Sequence, residues 1–515
     1  MAPHPALEDW LARAGPQPGA PGLQALRVSA PDWRRLGEAV AAASGSLMAL
    51  WASGTSEETP RVHAVYLGGQ PGLVASLTLD PREPRYPGLE DLFPAAARLQ
   101  RAIADLNGLP CTAADTRPWL RHGAWSNDRP LRDAGGAEET PQPQPDRYAF
   151  VRVEGEGVHE IPVGPVHAGI IEPGHFRFSV VGEKVLRLEE RLGYVHKGIE
   201  RRFTELPPLE GHRLAARVSG DSAVAFGWAY CQALESLSEA VIPARAALLR
   251  ALCLEIERIQ NHLGDLGALG NDAGFAFGLT QFSLLKERVL RATEAALGQR
   301  YLLDAIVPGG VRADLTAGGA RLLADCIAAV SLEVQVLRDI YDEHAGVRDR
   351  FVGAGQVSPE LARRLGLCGL AGRASGQAFD LRADLPAPPY DMLGATTISR
   401  GEGDVAARVA VRFDELRESS ALVQRIVELL PREAHRIDIA PPRPGLLAVG
   451  LIEGWRGPVL VALEIGPDGA IRRCHPHDPS WQNWPVLEYA ILGNIVPDFP
   501  LINKSFNLSY SGHDL

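Results

Sequence analysis

The 515-residue chain contains no CxxC pair. Its six cysteines, Cys111, Cys231, Cys253, Cys326, Cys368 and Cys474, stand far apart in the sequence. Structural zinc and iron–sulfur sites are usually built from closely spaced thiolates. No such site is therefore expected within this chain, and the cysteines read as buried apolar thiols in a reducing compartment. Long apolar runs are also missing. Nothing approaches the roughly 18 consecutive residues that a membrane-crossing helix needs, so membrane contact is expected only through partner subunits. The opening MAPHPALEDWLARAG lacks a basic segment followed by an apolar stretch, and no signal peptide is expected. An excess of positive charge is absent too. The formal net charge of −11 argues against nucleic acid as the partner, which would favour a basic face.

What remains is the composition of a folded protein, with 46% hydrophobic and 22% charged residues. The length is too great for one ordinary core and predicts two or three domains. The first is expected to run to Arg132. It holds strand-like HAVYLGG and LVASLTLD, then LFPAAARLQRAIADLNG, in which Leu92, Ala96, Leu99, Ile103 and Leu106 recur at helical spacing and Gly108 follows in a C-cap position. A linker rich in Pro, Gly and acid is expected over 133–147.

The remainder, 148–515, is expected to start with half-buried antiparallel strands in YAFVRVEGEGVHEIPVG and FRFSVVGEKVLRLEER, where apolar and polar residues alternate. From about Gly198 the period becomes helical. Long helices are predicted over ARAALLRALCLEIERIQNHLGDLGALG, RLLADCIAAVSLEVQVLRDIYDEHAG and GDVAARVAVRFDELRESSALVQRIVELL. In the first, Leu248, Leu252, Ile256, Ile259, Leu263 and Leu266 form one apolar face. Strands return between Gly445 and Ile471. The fold class is therefore α+β: a small α/β N-terminal domain, then a large domain with an antiparallel sheet and a long-helix bundle.

Six ordered blocks carry a family resemblance. They are GPVHAGIIEPGHFRF, YVHKGIERRF, RVSGDSAVAFGWAYCQALE, LEIERIQNHLGDLGALGND, GLAGRASG and DPSWQNWPVLEYAILGNIVPDFPLIN. They resemble the large subunit of group 4, membrane-bound, energy-converting nickel–iron hydrogenases and, more distantly, the quinone-site subunit of complex I. LNGLP and TRPWLRHGAWSNDRPLRD, ending at Pro130, Leu131 and Arg132, resemble the complex I subunit that docks beside it.

In that family four thiolates from two CxxC pairs hold nickel and bridge it to iron, because nickel calls for soft sulfur donors. The matching positions here are Ser219, Ser222, Ser509 and Gly512. The resemblance thus implies a relative that has lost its nickel site. The family also cleaves a tail after its last cysteine, whereas Leu515 stands three residues past Gly512.

Around that site the resemblance supplies candidates, each with a plainer alternative. His167 matches a histidine at the quinone head-group, or is a loop histidine bonded to backbone. Glu172 and His175 stand where proton carriers are used, or Glu172 is an exposed cap before Pro173. Asp221 lies between two lost ligands, as a proton carrier or, slightly favoured, a helix cap. Arg373 matches an arginine over the cavity, or pairs with Asp380 or Asp391. Glu257, Arg258 and His262 read as core-flanking polar contacts. Tyr194, His196 and Lys197 are candidates for the interface with an iron–sulfur small subunit.

Ser219, Ser222, Asp221, Ser509, His167 and Arg373 are expected to converge on one hydrated cavity, unless Phe226, Trp228 or Tyr510 fills it. The function implied is a subunit of a membrane-associated, complex I-like oxidoreductase that couples electron transfer to ion translocation. No cofactor is expected in this chain. Iron–sulfur clusters are expected in the small subunit, NAD and quinone binding follow from the complex I likeness, and antiporter-like membrane subunits are the other partners. The location implied is peripheral, at the cytoplasmic face of the inner membrane. The alternative is a structural scaffold or coupling subunit without redox chemistry of its own, and a third reading, placed behind both, is an active hydrogenase.

Overall fold

The computed structural model describes residues 4–55, 57–68, 71–123, 129–132, 148–169 and 171–515. The expected linker, 133–147, and residues 124–128 of the docking-like motif lie outside them. The N-terminal region forms a five-stranded sheet, in spatial order Gly15–Pro16, Leu23–Val28, Gly72–Thr78, Arg61–Leu67, Ser46–Ser53. Leu23–Val28 and Gly72–Thr78 pair in parallel and the other neighbours are antiparallel. Both faces are covered, which is why these strands read as nearly continuous apolar runs. One face buries Met48, Ala49, Trp51, Val65 and Val74 against Val449, Leu451, Leu460 and Ala462 of a second sheet. The helix Ala96–Asn107 ends at Gly108, whose φ of +63° is the left-handed C-cap that favours glycine.

Two further three-stranded antiparallel sheets flank a helical core. The first is Val158–Val163, His175–Val181 and Lys184–Arg191. The second is Leu447–Glu453, Pro458–Ile465 and Ile471–His477. Tyr148–Val153 was expected to add a strand and forms none. The Val151 N–H donates to the Glu189 carboxylate, and the Tyr148 ring lies under the guanidinium of Arg191, so side chains take the place of a ladder.

The long helices are Ala244–Asp272, Ala276–Leu297, Ala317–Glu343 and Val405–Leu429. Ala276–Leu297 goes beyond the predicted set. Leu248, Leu252, Ile256, Ile259, Leu263 and Leu266 are all buried, as their spacing predicted. The Ala244–Asp272 helix is not amphipathic, however. Arg250, Glu255, Glu257, Arg258, His262 and Asp265 are buried on it as well, each with a polar partner. A helix at the centre of a bundle has no solvent face, so its polar side must be satisfied internally. No helix among the described residues is long and apolar enough to cross a membrane.

Candidate functional site

The Ser219–Ser222 turn leads into the helix Ala223–Leu237. The helix Ser480–Ala490 and the segment Asn507–Gly512 approach it from the C-terminal end of the chain. Asn507 adopts φ of +46° and turns the backbone out of the helix Phe499–Phe506. Ser509 is then fixed by three bonds. Its N–H donates to Ser480 Oγ (2.9 Å), its carbonyl accepts from Trp484 Nε1 (3.2 Å), and its Oγ accepts from the Gly512 N–H (2.8 Å). On the other side, the Asp221 carbonyl accepts from Asn261 Nδ2 and Trp455 Nε1, both at 2.8 Å.

These supports bring Ser219 Oγ within 2.8 Å of Ser509 Oγ and within 2.8 Å of Asp221 Oδ1. A serine has one hydroxyl proton, and an ionised carboxylate only accepts. Ser219 therefore donates to Asp221, and Ser509 donates to Ser219. Ser222 Oγ reaches Asp221 Oδ1 at 3.3 Å. Arg456 closes the cluster, with Nη2 2.5 Å from Asp221 Oδ2 and Nε donating to the Asn507 carbonyl at 2.6 Å. Burial pushes the Asp221 carboxyl up. The Arg456 guanidinium and the two serine hydroxyls outweigh it and hold the carboxyl below its ordinary range. The serines are buried, but the Asp221 side chain is 38% exposed, so the cluster opens to the surface at the carboxylate.

Gly512 packs against Asp478. A Cβ there would lie 2.6 Å from Asp478 Oδ2 and 2.9 Å from Ser509 Oγ. Asp478 is fully buried and caps Ser480 through Oδ1, while Oδ2 has no hydrogen-bond partner among the described residues. Burial raises its carboxyl pKa, against the pull of Arg456.

Ser219, Asp221, Ser222 and Ser509 are thus joined directly, whereas His167 and Arg373 form no hydrogen bond to them, and Arg373 takes its plainer alternative, a pairing with Asp380. That arginine is buried between Glu415 (2.8 Å), Glu453 (2.7 Å) and Asp380 (3.6 Å). It makes no hydrogen bond to the serines, and Arg456 takes the position beside them. The cluster is also joined by direct hydrogen bonds where a hydrated cavity was expected. Tyr510 is buried with its ring 4.8 Å from Trp484, whereas Trp228 packs toward Tyr390. Asp221 does not cap the helix after it. The Val224 and Ala225 N–H groups donate instead to Glu257 of the neighbouring helix, at 2.7 and 3.3 Å. Burial drives the Glu257 carboxyl up to about 8 despite those bonds.

The other candidates lie around this cluster. His167 Nε2 donates to the Gly174 carbonyl at 2.8 Å, the geometry of a loop histidine tied to backbone. His175 Nδ1 lies 3.3 Å from the Gly164 carbonyl and its ring lies 5.2 Å from Phe150. Glu172 is exposed and accepts from the Ser511 N–H at 3.1 Å. The Tyr194–Lys197 stretch holds the last residues: Val195 N–H donates to Asp514 Oδ2, His196 Nδ1 to the Asp514 carbonyl, and Lys197 N–H to the Leu515 carbonyl.

Sequence reasoning missed Arg456 and Asp478, although both stand in glycine- or proline-marked turns, EGWRGP and HDPSW. Arg258 and His262 meet Glu415 at 3.3 and 2.9 Å in the same buried ionic network as Arg373.

The cluster thus forms where the C-terminal segment of a sheet-flanked helical bundle folds back on the Ser219 turn. Residues 272–444 match the family described as "Respiratory-chain NADH dehydrogenase, 49 Kd subunit". The chain is 31% identical to formate hydrogenlyase subunit 5 of Escherichia coli over 449 residues, covering 86% of this chain and 79% of the relative. It is 30% identical to hydrogenase-4 component G of the same organism, covering 86% and 78%. It is 26% identical to the C/D subunit of the NADH-quinone oxidoreductase of Bacteroides thetaiotaomicron, covering 77% and 79%. The chain belongs to the family that unites the large subunits of group 4 membrane-bound hydrogenases with the 49 kDa and C/D subunits of complex I.

Proposed function

We propose that the protein is the large subunit of a membrane-associated oxidoreductase complex that couples electron transfer to ion translocation without a nickel–iron centre. The closure of the four former ligand positions carries this reading. Ser219 and Ser509 are hydrogen-bonded at 2.8 Å, and Gly512 has Asp478 where a side chain would stand. Serine oxygens are hard, weakly acidic donors and glycine has none, whereas nickel calls for soft thiolates. The residues present do not fit the metal centre.

Electron transfer is assigned to iron–sulfur clusters of a partner small subunit docked at Tyr194, His196 and Lys197. Ion movement is assigned to antiporter-like membrane subunits, with this chain peripheral at the cytoplasmic face of the inner membrane. Residues 1–132 and 148–515 form its two domains, joined by the 133–147 linker. The direct serine contact favours a second reading over quinone binding at this cluster: the chain is a coupling element with no redox chemistry of its own.

The test uses the intact complex purified from membranes. Nickel far below one atom per chain is expected, and about one per chain overturns the proposal. Asp221→Asn and Arg456→Gln are expected to impair ion pumping while leaving the iron–sulfur spectra unchanged. Unimpaired pumping would instead leave the cluster a scaffold.

A further inference from the structure

A cavity of about 740 Å³ opens on the side of the Gly211–Ala215 helix, with walls from Asp304–Arg312 and Arg436–Ile439. Its charges are unusual for a chain of net charge −11. Two of its arginines are paired: Arg217 with Asp304 at 2.5 Å, and Arg213 with Glu210 at 3.0 Å. The other two, Arg312 and Arg436, are exposed and make no ion pair among the described residues. Of the three lining acids, Glu210 and Asp304 are paired and Asp438 makes no ion pair among the described residues, so four arginines against three acids leave one positive charge in excess.

His212 supplies an independent observation. It is 6% exposed and lines the cavity. Its Nδ1–H donates to the Leu209 carbonyl at 2.9 Å, and its Nε2 makes no hydrogen bond among the described residues. With Nδ1 committed as a donor, Nε2 accepts when neutral and donates when protonated. Burial holds the ring pKa below its ordinary value, with Arg213 adding to that and Asp304 and Glu210 opposing. A bound anion would favour the protonated ring and satisfy Nε2.

We propose that this cavity binds a small phosphate-bearing anion, held by Arg312 and Arg436 with His212 donating from the wall. Arginine suits the purpose because its planar fork matches phosphate oxygens. Leu209, Val307, Pro308 and Ile437 line the same cavity and would face the organic part of a phosphate ester. The site is independent of the serine cluster and of the function proposed for it.

Calorimetry on the full chain, with inorganic pyrophosphate as the probe, tests this. Saturable binding is expected, at least tenfold weaker in Arg312→Ala/Arg436→Ala, largely kept in Arg312→Lys/Arg436→Lys and a few-fold tighter in Asp438→Asn. Sulfate, whose charge is constant across this range, should bind better at pH 6 than at pH 8, and His212→Gln should remove the difference. Flotation with phosphatidylglycerol vesicles separates the two phosphate sources. Arginine-dependent flotation without pyrophosphate binding assigns the site to a lipid headgroup. No binding of either, or binding unchanged in the alanine double variant while its thermal melt matches the parent, overturns the proposal.

Discussion

The guanidinium of Arg456 lies 2.5 Å from the carboxylate of Asp221, and through it anchors both serine-bearing segments, 219–222 and 507–509. Removing the cation leaves a carboxylate that has lost its partner. Arg456→Met is expected to cost about 2 kcal/mol, below the range for a fully buried pair because water reaches Asp221. In Arg456→Met/Asp221→Asn part of that loss should return. Urea melts of the four proteins give the coupling energy, and additivity would mean that the pair is not coupled.

Arg373 should behave differently. It faces Glu415, Glu453 and Asp380, all buried. Arg373→Met leaves these acids short of a cation and is expected to cost about 3–5 kcal/mol. A double-mutant cycle with Asp221→Asn should show coupling under about 0.5 kcal/mol, as expected for residues with no shared partner. Strong coupling would place Arg373 back at the serine cluster.

Gly512→Cys should destabilise the protein, because its Cβ meets Asp478 Oδ2 at 2.6 Å. The expected cost is about 1–3 kcal/mol, typical of overpacking a close-packed site. Asp478→Ala loses the Ser480 cap but makes room. The combined variant should therefore lose less than the sum of the two, a sign that denaturant melts resolve.

Stability should fall with rising pH between about 6.5 and 8. Burial raises Glu257 to about 8 and Glu453 to about 7, both from an ordinary 4.5. A raised folded pKa adds stability that is complete below the unfolded value and lost as pH climbs through the folded one. Histidines work the other way. His63 and His477 are held at about 3 by burial, so their contribution grows as pH rises and is complete above about 6.5. Above that point the glutamates dominate, with a slope of up to about 1.4 kcal/mol per pH unit for each proton released. Glu257→Gln should flatten the slope between pH 7 and 8. An unchanged slope would count against the raised pKa.

Ser509→Ala removes the acceptor of the Gly512 N–H and the donor to Ser219. The expected loss is about 1–2 kcal/mol, as for a helix cap. Faster hydrogen exchange should be confined to residues 510–515 and the Ser219 turn.

Periodicity and chain order determined much of this protein in advance. Three long helices, the Gly108 cap, the strands around Val65, Val74 and Val459, and the order of the family blocks are local or nearly local signals. The absence of cysteine at Ser219, Ser222, Ser509 and Gly512 is likewise a fact of sequence. What local pattern cannot hold is the identity of partners far apart in the chain. Arg456 reaches Asp221 across 235 positions, and Ser509 reaches Ser219 across 290. The same limit explains why Arg373 pairs with Glu415 and Glu453 besides the Asp380 of its plainer alternative, and why Glu257, not Asp221, caps the Ala223–Leu237 helix. A buried charge takes whichever counter-charge packing brings within hydrogen-bond reach, because leaving it unpaired costs more than any local preference supplies. Only the tertiary structure decided those pairings.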